Sequence, residues 1–211
     1  MWSAGPARRV PEAGRPQALR LGFALTPGMR VGLFGGSFNP AHEGHAHVAE
    51  TALVRLGLDR VIWLVSPQNP LKTEAPGSLE QRLEGARTFA RGPSMIVSAA
   101  EAALGTTYSL DTIRLLKARH PGVRFVWLMG SDSLASFHRW KGWTEIFREV
   151  PIAVVARPGA EKALTSPAAR RFARARVAPG ALVRANPPAC AYLTAPLNFM
   201  SSTALRGSTR P

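Results

Sequence analysis

The sequence predicts one domain built on a doubly wound, parallel α/β sheet. Short apolar runs rich in β-branched residues recur along the chain, at a spacing of roughly 30 residues between the early ones, as βαβ units require. Helical patterns fill the intervals, and a glycine-rich turn closes the first run. The runs are Val31–Phe34, Val61–Val65, Met95–Val97, Phe125–Met129 and Ile152–Val155. Each is too short for a helix, and most are bounded by Gly, Pro or polar residues, as buried parallel strands are. Strand alternating with helix in this rhythm is the Rossmann type, in which ligands bind beyond the carboxyl ends of the strands.

Residues 1–28 come first and are expected to be a disordered, basic N-terminal extension, leaving 29–211 as the domain. Arg8, Arg9, Arg15 and Arg20 stand there among Pro and Gly, and Met29 directly precedes the first strand. Leu19 to Leu25 is interrupted by Arg20 and Gly22, so it lacks the apolar stretch of a secretory signal. An organellar transit peptide is disfavoured, since Ser3 and Thr26 are the only hydroxyls in this segment. After the first strand, Val48, Ala49, Ala52, Leu53 and Leu56 fall on one helical face. Ser66–Gly77, with three prolines, reads as a loop on the ligand side of the second strand. Leu79, Leu83, Ala86 and Ala90 form the next apolar face. Leu110, Ile113 and Leu116 form a third, behind Ser109 as N-cap. Residues 159–189 read as basic loop with one helix around Ala168–Ala175.

Composition narrows the classes of function. No apolar run reaches the roughly 18 residues that span a bilayer, so no membrane partner is expected. Cys190 is the only cysteine, which rules out an intrachain disulfide and reads as a small buried residue. The net charge of +14 raises the question of nucleic acid. Its densest part, Arg170, Arg171, Arg174, Arg176 and Arg184, has only Phe172 beside it, so base stacking is poorly supported. A solvated basic face, or attraction of small anionic substrates, explains the charge without a nucleic-acid partner.

Chemistry concentrates in Gly35-Gly36-Ser37-Phe38-Asn39-Pro40-Ala41-His42-Glu43-Gly44-His45. Paired glycines let a ligand approach the backbone, and amides there can face phosphate oxygens. A helix starting near Gly44 adds its positive end. His42 and His45, three apart, share one side of its first turn and can donate to one anion. Zinc is disfavoured: His-Glu-x-His is one residue short of the protease motif, and His45 and His47 diverge on a helix.

His42-x-Gly44-His45 after a strand and a Gly-rich turn resembles the signature of the HxGH nucleotidyltransferase superfamily. Ser201-Ser202-Thr203-Ala204-Leu205-Arg206 resembles its second signature, a helix start and arginine that hold ATP phosphates. Gly35–Pro40, Thr107-Tyr108-Ser109 with Asp111-Thr112, Gly130-Ser131-Asp132-Ser133-Leu134 with Trp140, and Arg157-Pro158-Gly159 are similar to the bacterial nicotinate-nucleotide adenylyltransferase version. The resemblance spans about residues 30–206 and is patchy through the basic stretch. It implies adenylyl transfer from ATP to nicotinate mononucleotide in the cytoplasm, for NAD biosynthesis, with Mg²⁺ on the ATP phosphates. It implies His42, His45 and Arg206 as catalytic groups. ATP would meet Gly35, Gly36, Ser37, Phe38, His42, His45, Gly130, Ser201, Ser202, Thr203 and Arg206. The mononucleotide would meet Asn69, Lys72, Tyr108, Ser109, Asp132, Trp140, Lys141 and Arg157, with Trp140 stacked on the pyridine ring and Asp132 on a ribose. Trp140 as an ordinary core aromatic, and Asp132 as the N-cap of a helix over Ser133–Phe137, are the structural alternatives. Family members continue for a further helix after the second motif, so the short segment after Arg206 suggests support from a neighbour or from a second subunit of a homo-oligomer.

Overall fold

The computed structural model describes residues 24–67, 77–158 and 160–194. Its centre is a parallel sheet of six strands in the order β3-β2-β1-β4-β5-β6. These are β1 (Arg30–Gly36), β2 (Arg60–Val65), β3 (Met95–Ser98), β4 (Arg124–Gly130), β5 (Ile152–Val155) and β6 (Cys190–Leu193). Five coincide with the apolar runs. The chain leaves β1 toward β2 on one side and returns to β4 on the other, so the winding direction reverses between β1 and β4. That reversal opens a crevice at their carboxyl ends, where ligands of doubly wound sheets sit.

Both faces of the sheet are covered, which is why the strands read as apolar runs. Alternate residues serve opposite layers: Trp63 and Val65 of β2 face one core, and Ile62 and Leu64 the other. The first layer is closed by α1 (Glu43–Arg55), α2 (Leu79–Phe89) and α9 (Pro179–Leu182), through residues such as Val48, Ala86 and Leu182. The second is closed by α3 (Ala100–Ala103), α4 (Ser109–Arg119), α5 (Ser131–Ser136), α6 (Trp143–Glu149), α7 (Ala160–Leu164) and α8 (Pro167–Arg171), with Ile113, Leu134 and Phe147 fully or almost fully buried. Ahead of β1, Leu25 and Met29 pack on this second core, and the Gly28 amide donates to the Gly122 carbonyl at 2.8 Å.

Several boundaries differ from the expectations. Ser109 is the first helical residue of α4 rather than its cap; Tyr108 takes the cap position and no side chain caps that end. Asp132 is likewise inside α5, whose cap is Gly130, so it is not an N-cap. The stretch after β5 is more ordered than a loop: α7 and α9 were not anticipated, and the expected helix is α8 followed by a 3₁₀ turn at Ala173–Ala175. Its five arginines are exposed, as a solvated basic face requires. Cys190 is 5% exposed and opens the sixth strand.

A carboxyl group is buried behind α4. Glu101 is 2% exposed and accepts from the Thr112 hydroxyl at 3.4 Å, with Thr106 and Thr112 sharing a bond of 2.8 Å. Burial pushes Glu101 up to about 7 from an ordinary 4.5, against the opposing pull of Thr112. Between these two values the folded chain holds a proton that the unfolded chain has lost. Stability therefore falls as pH rises through that window, and the penalty is complete above it. Glu101→Gln keeps an acceptor and removes the charge. It is expected to stabilise the protein by about 1–3 kcal/mol at pH 8 and by little near pH 4.5. Denaturant unfolding at the two pH values checks this; equal destabilisation at both would mean that the carboxylate is satisfied.

Candidate active site

The site is built where β1, β4 and β5 end. Gly35 and Gly36 are the last residues of β1, and aromatic side chains press close on both. A Cβ on Gly35 would come within 2.4 Å of the Trp127 indole, and one on Gly36 within 3.1 Å of the Phe38 ring. Close approach thus serves the protein's own aromatics as well as any ligand. Phe38 holds a positive φ of 45°, uncommon for a bulky side chain. Its ring is 1% exposed and lies against Phe34, Trp63 and His45. Only its backbone could meet a nucleotide, and its side chain forms the floor under His45.

The two histidines start α1 and cap it. His42 is the N-cap, and its Nδ1 accepts from the Gly44 amide at 3.0 Å. His45 Nδ1 accepts from the His42 amide at 3.2 Å, completing a capping box in which imidazoles replace the usual hydroxyl and carboxylate. With Nδ1 of each ring accepting, each neutral imidazole carries its proton on Nε2. The two rings lie side by side, 3.8 Å apart centroid to centroid. His42 is 1% exposed, and burial lowers its pKa to about 4, with the Arg157 guanidinium helping and Asp132 opposing. It is therefore a neutral hydrogen-bond donor at physiological pH.

β4 and β5 bring the other wall. Arg157, buried after β5, donates to Asp132 Oδ2 at 3.2 Å. A Cβ on Gly130 would come within 2.4 Å of the Asp132 carboxylate and 2.8 Å of the Arg157 side chain, so a larger residue there would displace that ion pair. Ser131 fastens the two strand ends, its Oγ accepting from the Arg157 amide at 3.0 Å. Ser131 lies inside the Gly130–Leu134 motif, but a serine at a strand end carries little signal by itself, and only the fold shows its bond to Arg157.

A second group forms beside the first. Lys141 Nζ stands 4.1 Å over the Tyr108 ring. Gly142, at φ 68°, abuts Leu110, where an added Cβ would come within 2.6 Å of the Leu110 side chain. The Tyr108–Leu110 turn and the Trp140–Gly142 turn therefore face each other across the uncapped start of α4. Trp140 packs edge-on to Phe137 and Trp127 and stays half-buried, so it is partly a core aromatic. Trp127 links the groups, touching Trp140 on one side and approaching Gly35 on the other. Asn69, Lys72, Ser201, Ser202, Thr203 and Arg206 lie outside the described residues.

A histidine-capped helix start, a glycine turn and a buried guanidinium meet at the topological switch point of a doubly wound sheet, the place where nucleotide-binding proteins of this fold class take their ligands. The chain belongs to the cytidylyltransferase-like family, whose model matches residues 33–208, and within it to the nicotinate-nucleotide adenylyltransferases. A relative from Caulobacter sp. (strain K31), named "Probable nicotinate-nucleotide adenylyltransferase", is 67% identical over 85% of this chain and 97% of its own length. One of the same name from Cereibacter sphaeroides is 54% identical over 86% and 99%. The fold matches a solved Plasmodium falciparum nicotinic acid mononucleotide adenylyltransferase, complexed with NaAD, at a TM-score of 0.64 and 14% identity, covering 85% of this chain and 83% of that one.

Proposed function

We propose that this enzyme transfers the adenylyl group of ATP to nicotinate mononucleotide, giving nicotinate adenine dinucleotide and pyrophosphate in the cytoplasm. The observation that carries this reading is the histidine pair. Two imidazoles whose Nδ1 atoms are tied to the backbone of a helix start present Nε2–H groups, which suit phosphate oxygens rather than proton abstraction. A phosphate oxygen of the mononucleotide attacks the α-phosphorus of ATP. A new P–O–P bond forms as the bond to the β-phosphate oxygen breaks, and its electrons leave with pyrophosphate. The reaction needs no covalent nucleophile. It needs two anions held in line and the growing charge met by preorganised donors.

In this reading His42, His45 and the turn amides of Gly35–Phe38 meet the ATP phosphates, with Gly130 beside them. Ser201, Ser202, Thr203 and Arg206 complete that site from the far end of the chain. Mg²⁺ would be carried by the ATP phosphates rather than by a cage of protein ligands, and would neutralise part of their charge. Asp132 and Arg157 face the mononucleotide's ribose and phosphate, Asn69 and Lys72 its phosphate, and Tyr108, Ser109, Trp140 and Lys141 its ring. Pyrophosphate release with ATP and nicotinate mononucleotide tests the assignment; release only with phosphopantetheine as acceptor would overturn it.

Trp140→Ala separates a ring platform from a core filler. It is expected to raise KM for the mononucleotide about ten- to hundredfold and to leave KM for ATP nearly unchanged, since stacking on one base contributes roughly 1–3 kcal/mol. Steady-state kinetics with each substrate varied in turn checks this. Equal weakening of both substrates would mean that the Phe137–Trp127 packing had collapsed.

A further inference from the structure

Arg82 sits in α2 on a face that closes the core, and it is 4% exposed. A buried guanidinium is costly unless it is paired or fully hydrogen-bonded. Among the described residues its partners are backbone carbonyls. Nη1 donates to Ser66 O at 2.6 Å and to Ser37 O at 2.9 Å, Nη2 to Pro67 O at 2.9 Å, and Nε to Gly77 O at 2.9 Å. Burial lowers its pKa from the ordinary arginine value, in keeping with a charge met by dipoles alone.

The four carbonyls belong to three segments that are separate in sequence. Ser37 follows β1, Ser66 and Pro67 follow β2, and Gly77 precedes α2. Smaller bonds join the same pieces: the Ser66 amide donates to Gly36 O at 3.0 Å, and the Gly77 amide to Asn39 Oδ1 at 3.3 Å. The turn so held, Gly36–Asn39, leads within three residues to the His42 cap. A planar fork with five donors can span such a set, whereas an ammonium has three donors at one point.

We propose that Arg82 is a positioning residue for catalysis: its guanidinium sets the Gly36–Asn39 turn against the end of β2, and so aims the turn amides and the histidine pair at the nucleotide's phosphates. This rests on the adenylyl-transfer reading above. A merely structural arginine would affect how much protein is folded, and not the work done by each folded molecule.

Arg82→Lys keeps the charge and loses the fork. Well below its melting temperature, this variant is expected to show a kcat per folded molecule lower by about 10–100-fold, since misplacement by about 1 Å can cost about 10² in rate. Its calorimetric affinity for ATP should weaken about tenfold, the loss of one to two net hydrogen bonds. In Arg82→Ala, millimolar methylguanidinium should restore part of the lost kcat; if that variant does not fold, Arg82→Lys decides alone. Wild-type kcat and ATP affinity in Arg82→Lys would overturn the proposal. If the wild type binds ATP but makes no dinucleotide, the reaction assignment fails, while the ATP affinity of Arg82→Lys still judges the role of Arg82.

Discussion

His45→Ala is expected to lower kcat by about 10²–10³ while the protein stays folded, the usual result of removing one preorganised donor from a developing charge. The geometry shows why the two effects separate. His45 Nδ1 accepts from the His42 amide within the helix start, and in the proposed reaction it is the Nε2–H that meets the phosphate. Truncation removes the donor. It also leaves the His42 amide without its cap partner, which costs about 0.5–2 kcal/mol, or a few degrees in a chain of this size. Turnover at saturating substrate, measured beside the melting temperature, distinguishes a failed site from a failed fold. Near wild-type turnover would remove His45 from the phosphate site altogether.

Nicotinate mononucleotide is expected to exceed nicotinamide mononucleotide at least a hundredfold in kcat/KM. The two differ by one carboxylate against one amide. The start of α4 has no side-chain cap, its Asp111 amide turns to the Tyr108 carbonyl so that the Ser109 and Leu110 amides lead the helix, and the Lys141 ammonium stands over the adjoining Tyr108 ring. Such an end favours an anion, and an amide's NH₂ would set donor against donor. Sites built around one polar group reject a mismatched analogue by orders of magnitude when buried groups are left unpaired. The net charge of +14 adds only a weak preference at physiological salt. The comparison requires both acceptors at a single salt concentration. Comparable efficiencies would mean that the α4 end does not read the carboxylate.

How much of this was legible in the sequence depended on whether each signal was local. The His42-x-Gly44-His45 phrase could be read because cap and helix start lie within four residues, and the structure's capping box follows from them. Five strands could be read because burial on both faces makes them continuous apolar runs. Cys190–Leu193 is an equally short apolar run, but it carries no β-branched residue and follows a proline-rich stretch, so it stands out as a strand only once Ile152–Val155 is placed beside it. Ser109 looked like a cap by residue type, but Tyr108 holds the extended backbone that the cap position demands. Arg82 was invisible for the opposite reason. An arginine within a helical stretch ordinarily points to solvent, and only tertiary placement reveals four carbonyls converging on it.

The strand order has a consequence for how the chain is made. β1 pairs with β2, which is synthesised directly after the intervening helix, and with β4, which begins only at Arg124. At elongation rates of about 5–20 residues per second, the 59 positions from Val65 to Arg124 take about 3–12 s. Through that interval one ladder edge of β1 has no partner strand, and the layer containing Val31 and Leu33 lacks Phe125 and Trp127. The β1-β2-β3 half of the sheet is thus the portion of the newborn polypeptide that most needs shelter from other unfinished chains, and its exposure ends when β4 arrives.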